Sequence, residues 1–312
     1  MSAFLPDQTR IAQVHLRTRN LERALTFYSL VLGLRALPQR GPHALLAAGK
    51  NEPGFILLSE DANAAPRPSR SIGLYHFAVR YPRRQDLARA YRRLQKTGYP
   101  VDGAADHGVS EAIYLSDPDG NGIELYVDRP RAQWPWRDGE IEMVTKALSL
   151  EDFLATAAGP FETATAPPQT DLGHIHLHVP DLPEAERFYS DFLGLAVTQR
   201  SYPGALFFAA GGYHHHVGVN VWAGKAAPPP DSVGLVSYRF EVSLAEILYC
   251  LNHRAPLLGY ETRTESDSDD APVLKIRDPS GSWLEIQAPG AAPAPTENEP
   301  CRQAEVTSTN DE

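Results

Sequence analysis

Two stretches of this chain, 161 residues apart, carry the same pattern, and that duplication limits the fold more than any other feature. Residues 20–34 read NLERALTFYSLVLGL and residues 181–195 read DLPEAERFYSDFLGL; Leu21, Ala24, Phe27, Tyr28, Ser29, Leu32, Gly33 and Leu34 all have identical counterparts. The same offset carries Gly73 and Leu74 onto Gly234 and Leu235, and Asp117, Pro118, Gly120 and Glu124 onto Asp278, Pro279, Gly281 and Glu285. Self-similarity at a fixed period marks one structural unit used more than once. At roughly 150 residues per domain, a 312-residue chain accommodates two such copies, each with a core of its own.

Within each copy the hydrophobic period switches twice. IAQVHLRT alternates as a half-buried strand does, RNLERALTFYSLVLGL has apolar residues at helical spacing and stops at Gly33, and the strand-like runs ALLAAG and GFILLS follow. LYHFAVRY restarts the cycle, QDLARAYRRLQKTG supplies a helix, and AIYLSDPDGNGIELYV reads as a hairpin with an Asp-Pro-Asp-Gly-Asn-Gly turn. The expected fold is therefore α+β, four βαβββ units in tandem domains spanning 10–128 and 172–288. One such unit leaves a sheet face bare, so the units must pair and curl their mixed sheets into a cup. Residues 129–171 read as a linker, and the Ala/Pro/Glu-rich stretch 289–312 as a disordered tail.

Charge and composition narrow the function. The chain has 29 Lys and Arg against 39 Asp and Glu, and a net charge of −10 repels phosphate backbones, so nucleic acid is not the expected partner. No apolar run approaches the roughly 18 residues a membrane span requires. The opening MSAFLPDQTR does not read as a secretory signal, and a cytoplasmic location is the expectation. Cys250 and Cys301 are too few for a disulfide framework, and 11 histidines make imidazole and carboxylate the natural donors for any transition metal.

Strand alternation puts His174, His176 and His178 of HIHLHV on one face, which is either the inside of a cup or solvent. A single His in such a strand is more often structural. His76 opens the strand LYHFAV, and Glu124 sits among apolar residues in GIELYV, where a carboxylate is costly to bury unless it is paired or bound to a cation. Of His214, His215 and His216, ahead of the strand-like VGVNVW, at least one ring is expected to point inward.

The four-unit layout, the FYSxxLGL helix ends, and the segments LYHFAV, DHGVSEAIYLSDPDGNGIELY, GHIHLHVPDL and GGYHHHVGVNVW resemble the vicinal oxygen chelate superfamily. Within it they resemble the extradiol ring-cleaving dioxygenases of the catechol 2,3-dioxygenase type. The likeness covers roughly residues 10 to 128 and 172 to 288. It implies two tandem domains of that superfamily forming a metal-binding cup. It also implies Fe(II), less often Mn(II), held by two His and one Glu, with positions left open for a catecholic substrate and O2. The matching positions here are His174, His76 and Glu124 as metal ligands. His215 matches a His in the last strand of its unit and is the candidate acid/base, while Tyr114 and His107 match the residues that would hydrogen-bond and orient the substrate. The implied product is of the 2-hydroxymuconic semialdehyde type.

The placement departs from the family, whose site units are the third and fourth. Here the matching residues lie in the second and third, and the offset equivalents of His174, His215, His76 and Tyr114 are Gln13, Gly54, Ser237 and Lys275. Only Glu124 keeps its counterpart, Glu285. The complementary losses predict that units two and three face each other across one site, within one chain or across a dimer, while units one and four are scaffold. If units one and two paired instead, Gln13 or His15 would join His76 and Glu124. His15 and His176 are offset equivalents, which fits a shared structural role. Trp134 and Trp136 of the linker bear on how far the cup is closed, and exposed sheet edges point to a homo-oligomer. A glyoxalase-like metal-dependent isomerase or lyase and a non-catalytic small-molecule binding protein are the alternative functions on this fold.

Overall fold

The computed structural model describes residues 5–38, 41–50, 52–157, 165–266 and 271–288. The expected tail 289–312, with Cys301, lies outside the described residues. The first unit comprises β1 (Arg10–Thr18), α1 (Leu21–Thr26), β2 (Arg35–Leu37), β3 (His43–Ala47) and β4 (Ile56–Glu60). The second comprises β5 (Gly73–Arg80), α2 (Arg84–Thr97), β6 (Gly103–Asp106), β7 (Ser110–Ser116) and β8 (Gly122–Asp128). The connector carries the short strands β9 (Trp136–Arg137), β10 (Glu140–Ile141) and β11 (Lys146–Ala147), then α3 (Leu150–Ala155). The third unit comprises β12 (Asp171–His178), α4 (Leu182–Glu186), β13 (Ala196–Gln199), β14 (Ala205–Ala209) and β15 (Val217–Asn220). The fourth comprises β16 (Gly234–Glu241), α5 (Glu246–Leu257), β17 (Thr262–Ser266), β18 (Pro272–Arg277) and β19 (Trp283–Gln287).

The sheets do not follow the duplication. One eight-stranded sheet joins units one and four, in the order β17-β18-β19-β16-β1-β4-β3-β2. The other, nine-stranded, joins units two and three, in the order β11-β6-β7-β8-β5-β12-β15-β14-β13, with connector strand β11 added at its edge. In both sheets the opening strands of the two units pair antiparallel, β1 with β16 and β5 with β12. Within every unit the first strand runs parallel to the last. Units two and three therefore pair within a single chain.

The motifs shared by the two copies pin each half together across the two sheets. Asn20 and Asp181 cap α1 and α4, accepting from the backbone N–H of Arg23 and Glu184. Both helices then widen into a π-turn over the FYS residues, Phe27–Val31 and Arg187–Phe192. That turn delivers Tyr28 Oη to Asp117 Oδ2 at 2.8 Å, and Tyr189 Oη to Asp278 Oδ2 at 2.8 Å. The other oxygen of each aspartate accepts backbone N–H groups of its own tight turn, from Asp119 and Asn121 or from Ser280 and Ser282. A buried carboxylate satisfied from both sides in this way is a structural lock rather than a reactive group.

Alternation along the strands sorts side chains onto two faces of the nine-stranded sheet. Phe77, Val79, Ile113, Leu115, Ile123, Leu125, Ile175 and Leu177 belong to the main core. The opposite face carries His76, Ala78, Ala112, Tyr114, Glu124, Tyr126, His174 and His176. The connector closes over that face: Trp134, Ile141 and Met143 pack with Ala205, Phe207 and Tyr213 in a second apolar cluster. Trp134 is 6% exposed and helps close the cup, whereas Trp136 is 61% exposed and does not.

Gly122 shows how tightly the strands bearing the histidine and the carboxylate are packed. A Cβ there would overlap the backbone carbonyl of Tyr75, which cannot rotate aside. We predict that Gly122→Ala destabilises the protein by roughly 1–3 kcal/mol, measured by urea denaturation, because overpacking against backbone forces the strands apart. An unchanged denaturation midpoint would contradict this packing.

Candidate metal centre

Three adjacent strands, β8, β5 and β12, build the centre of the cup. In the ladder Glu124 on β8 lies opposite Ala78 on β5, and Ala78 lies opposite His174 on β12. Strands two apart are separated by about 10 Å, so the residue between must be small for the outer side chains to meet above it. Ala78, fully buried, leaves that gap. Across it His174 Nε2 donates to Glu124 Oε2 at 3.1 Å. His76, two residues before Ala78 on the same face, places its Nε2 3.0 Å from the same oxygen. That contact lacks the alignment of a hydrogen bond, so His76 Nε2 is a buried polar atom without a partner. One ligand atom from each of the three residues lies within 4.8 Å of the others.

Such a cluster is poorly served by protons alone. Burial opposes ionisation of Glu124, and only the two imidazoles beside it hold its carboxyl well below the ordinary range. Burial also drives His174 down to about 4, so at neutral pH that ring is neutral and brings no positive charge. Among the described residues no Lys or Arg pairs with Glu124. Two buried imidazole nitrogens and a buried carboxylate oxygen, one nitrogen unpaired, fit a divalent transition metal that keeps positions open on the cavity side.

The equivalent place in the other sheet is filled differently. Glu285 Oε2 accepts from Arg239 at 2.9 and 2.8 Å, and Lys275 Nζ lies 3.2 Å from its other oxygen. Protein cations occupy that position. His15, the offset partner of His176, bonds Ser59 Oγ at 2.9 Å. Gln13 sits on β1 opposite Arg239 in this sheet, so it does not join His76 and Glu124.

His76 and Glu124 open onto a cavity of about 250 Å³, lined also by Tyr75, Val109, Met143, Tyr202, Phe207 and Trp222 together with His107, Tyr114, His176 and His215. His107 Nδ1 lies 2.6 Å from the carbonyl oxygen of Val144, which can only accept, so Nδ1 carries the proton. In the neutral ring Nε2 is then the acceptor for the Tyr114 hydroxyl at 2.7 Å. Tyr114 pairs directly with Glu124 in the β7–β8 ladder; burial and then that negative charge keep its phenol well above its usual range. His215 lies in the turn just before β15, not in the strand, because His216 already begins the backbone pairing through its carbonyl to Ile175. All three of His214, His215 and His216 are buried. His216 Nδ1 accepts from the backbone of Ala210, His215 faces the cavity, and His214 reaches Asp128. His174 and His176 face the cup, while His178 is half-buried at its edge, 2.6 Å from Asn220 Oδ1. Tyr75, Tyr202 and Trp222, which sequence reasoning did not single out, carry no motif; only the strand order β5-β12-β15-β14 brings them to the cavity.

Several of these histidines are pushed down by burial, His15 and His174 to about 4 and His216 to about 3, with His176 and His215 also well below normal. Below pH about 6.5 an unfolded chain takes up protons that the folded chain refuses, so folded stability declines as pH falls. We predict that the metal-free protein loses melting temperature steadily from pH 6.5 to pH 4 and is flat from pH 7 to 8; no loss in the acid window would contradict the neutral buried rings.

Comparison with known proteins agrees with this architecture. Residues 10–125 and 171–286 match the glyoxalase/bleomycin resistance protein/dioxygenase superfamily. The chain is 42% identical over 286 residues to a protein named catechol-2,3-dioxygenase from Bacillus subtilis (strain 168), covering 89% of this chain and 97% of that one. In structure it resembles a putative dioxygenase from Bacillus subtilis subsp. subtilis str. 168, with a TM-score of 0.64, 15% identity, and coverage of 90% of this chain and 86% of that one. It also resembles glyoxalase I from Zea mays, with a TM-score of 0.59, 15% identity, and coverage of 90% and 92%. Two matched segments on paired, curved sheets, with a relative this similar along almost its whole length, place the chain in the glyoxalase/bleomycin resistance protein/dioxygenase superfamily.

Proposed function

We propose that the protein is an extradiol dioxygenase that opens catechol or a small substituted catechol beside its diol, giving a 2-hydroxymuconic semialdehyde-type product. The observation that carries this reading is the convergence of His76, Glu124 and His174 within 4.8 Å, beside a cavity that His76 and Glu124 line with His215 and the His107–Tyr114 pair. The 42% identity to a named catechol-2,3-dioxygenase supports it. His76, Glu124 and His174 would hold Fe(II), or Mn(II), since these N/O donors suit both. When bound, that ion supplies Lewis acidity toward the diol oxygens and redox chemistry toward O2.

The chain's own groups do the rest. Tyr114, its proton committed to His107 Nε2, offers a lone pair to a catechol hydroxyl and fixes the ring's orientation. The imidazole of His107, anchored through Nδ1 to Val144, keeps Tyr114 in place. Tyr75, Phe207, Trp222 and Met143 form apolar and aromatic walls that exclude water from the reacting face. At about 250 Å³ the cavity is at or below the small end of ligand pockets, which run from roughly 300 to 1,000 Å³, and it suits a single aromatic ring. His215 is the candidate acid/base, accepting and returning a proton at the nitrogen that faces the cavity.

Anaerobic reconstitution with Fe(II), followed by catechol and air, tests the reading through O2 uptake and the yellow ring-opened product. We expect one O2 consumed per catechol; iron-loaded protein that consumes none with catechol, alkylcatechols or chlorocatechols would overturn the assignment in favour of a metal-dependent isomerase. Ala78→Leu and Glu124→Ala should abolish metal retention as read by elemental analysis, the first by filling the gap over which the ligands meet. His215→Ala should keep its iron and lose roughly 10²-fold or more in kcat; full turnover by that variant would remove His215 from the chemistry.

A further inference from the structure

We infer that Asp128 and His214 form a positioning pair that sets the tautomer of His215, holding its cavity-facing Nε2 bare of hydrogen. The inference rests on the dioxygenase reading only for what His215 then does; the tautomer itself is a property of the chain.

Asp128 Oδ1 lies 2.8 Å from His214 Nε2, and an ionised carboxylate can only accept, so Nε2 of His214 carries hydrogen. In the neutral ring Nδ1 of His214 is then an acceptor. The atom 2.8 Å from it is Nδ1 of His215, which must donate. His215 is thereby fixed as the Nδ1–H form, the reverse of the tautomer a free imidazole prefers, and its Nε2 lone pair is left for the cavity it lines. Both rings are buried among other rings: His214 lies 4.1 Å from Tyr213 and edge-on to Trp134 at 5.3 Å, and His215 lies tilted 4.1 Å from the His174 ring.

Asp128 is itself held in place. Tyr213 Oη lies 3.0 and 3.1 Å from its two oxygens, and Arg80 Nη1 is 3.5 Å away. Burial opposes its charge, but His214, Arg80 and Tyr213 outweigh that and keep the carboxyl below its ordinary range, so it remains an acceptor at neutral pH. A bare Nε2 can accept a proton at the cavity and give it back, whereas the reversed tautomer would present a hydrogen there.

The chain of contacts crosses between the halves of the protein, from β8 to the turn before β15, and uses no residue of the ligand cluster as a link. Glutamine provides a sharp variant, because an amide presents an oxygen and an NH2 about as far apart as the two ring nitrogens. In His214→Gln the amide donates to Asp128 and accepts from His215, preserving the polarity; in His214→Phe neither contact survives.

The test is long-range ¹H–¹⁵N NMR on histidine-labelled full-length protein loaded with Zn(II), alongside steady-state kinetics of the Fe(II) form. We expect His215 to carry its proton on Nδ1 in the wild type and in His214→Gln, and to shift to the Nε2–H form in His214→Phe and Asp128→Leu. In those last two variants kcat for catechol should fall roughly 10–100-fold while iron stays at one per chain, as for other outer-shell partners. KM should change by less than about twofold, since ground-state binding is untouched, and His214→Gln should recover most of kcat. A wild-type His215 protonated on Nε2 overturns the inference whether or not catechol is a substrate. So does an Asp128→Leu protein whose His215 tautomer and kcat match the wild type. Failure of all forms to consume O2, with the Nδ1–H tautomer present, would instead sink the dioxygenase reading and leave the positioning pair intact.

Discussion

A carboxylate buried on the cup face of a sheet needs positive charge, and among the described residues no Lys or Arg beside Glu124 supplies it. Removing an unpaired carboxylate from water costs several kcal/mol even after relaxation. Its two contacts, His76 and His174, are buried imidazoles, and His174 is held neutral at physiological pH. The duplicated chain contains its own comparison. Glu285 stands at the equivalent register of the other sheet and is neutralised by Arg239 and Lys275, so that centre is closed and structural. The difference between the two sheets is the difference between a carboxylate supplied with protein cations and one that leaves a gap for a metal.

That gap depends on how the four units are paired. Each half of the chain contributes one unit to each sheet, and the Tyr28–Asp117 and Tyr189–Asp278 bonds tie each half across both. The centre lies where β5 of one half meets β12 of the other, so neither half contains it alone. One of these interfaces carries the convergent histidines beside a cavity, while the other closes its glutamate with Arg239 and Lys275.

Much of this was legible in the sequence. The 161-residue offset exposed the duplication, and the complementary losses at Gln13, Gly54, Ser237 and Lys275 pointed to units two and three. A lone Glu124 in an apolar strand carried a signal because burying it is expensive. What was hidden depended on register between distant strands. Ala78 is an ordinary small residue until Glu124 and His174 are seen to meet above it. Asp128 and His214 are 86 residues apart, and no spacing rule joins them. The roles of Trp134 and Trp136 diverged because only one faces the second apolar cluster, and β11 joined the main sheet although two residues carry no periodicity. His215 was expected in a strand; the turn before β15 holds it instead, and that turn is what brings His214 beneath it.

The most direct test of the account is the position of the metal, located by anomalous scattering at the iron edge from crystals of the Fe(II)-loaded protein. The account predicts one site per chain, about 2 Å from His76 Nε2, His174 Nε2 and a Glu124 oxygen. A fully loaded crystal with its iron elsewhere, at Glu285 or on surface carboxylates, would contradict it.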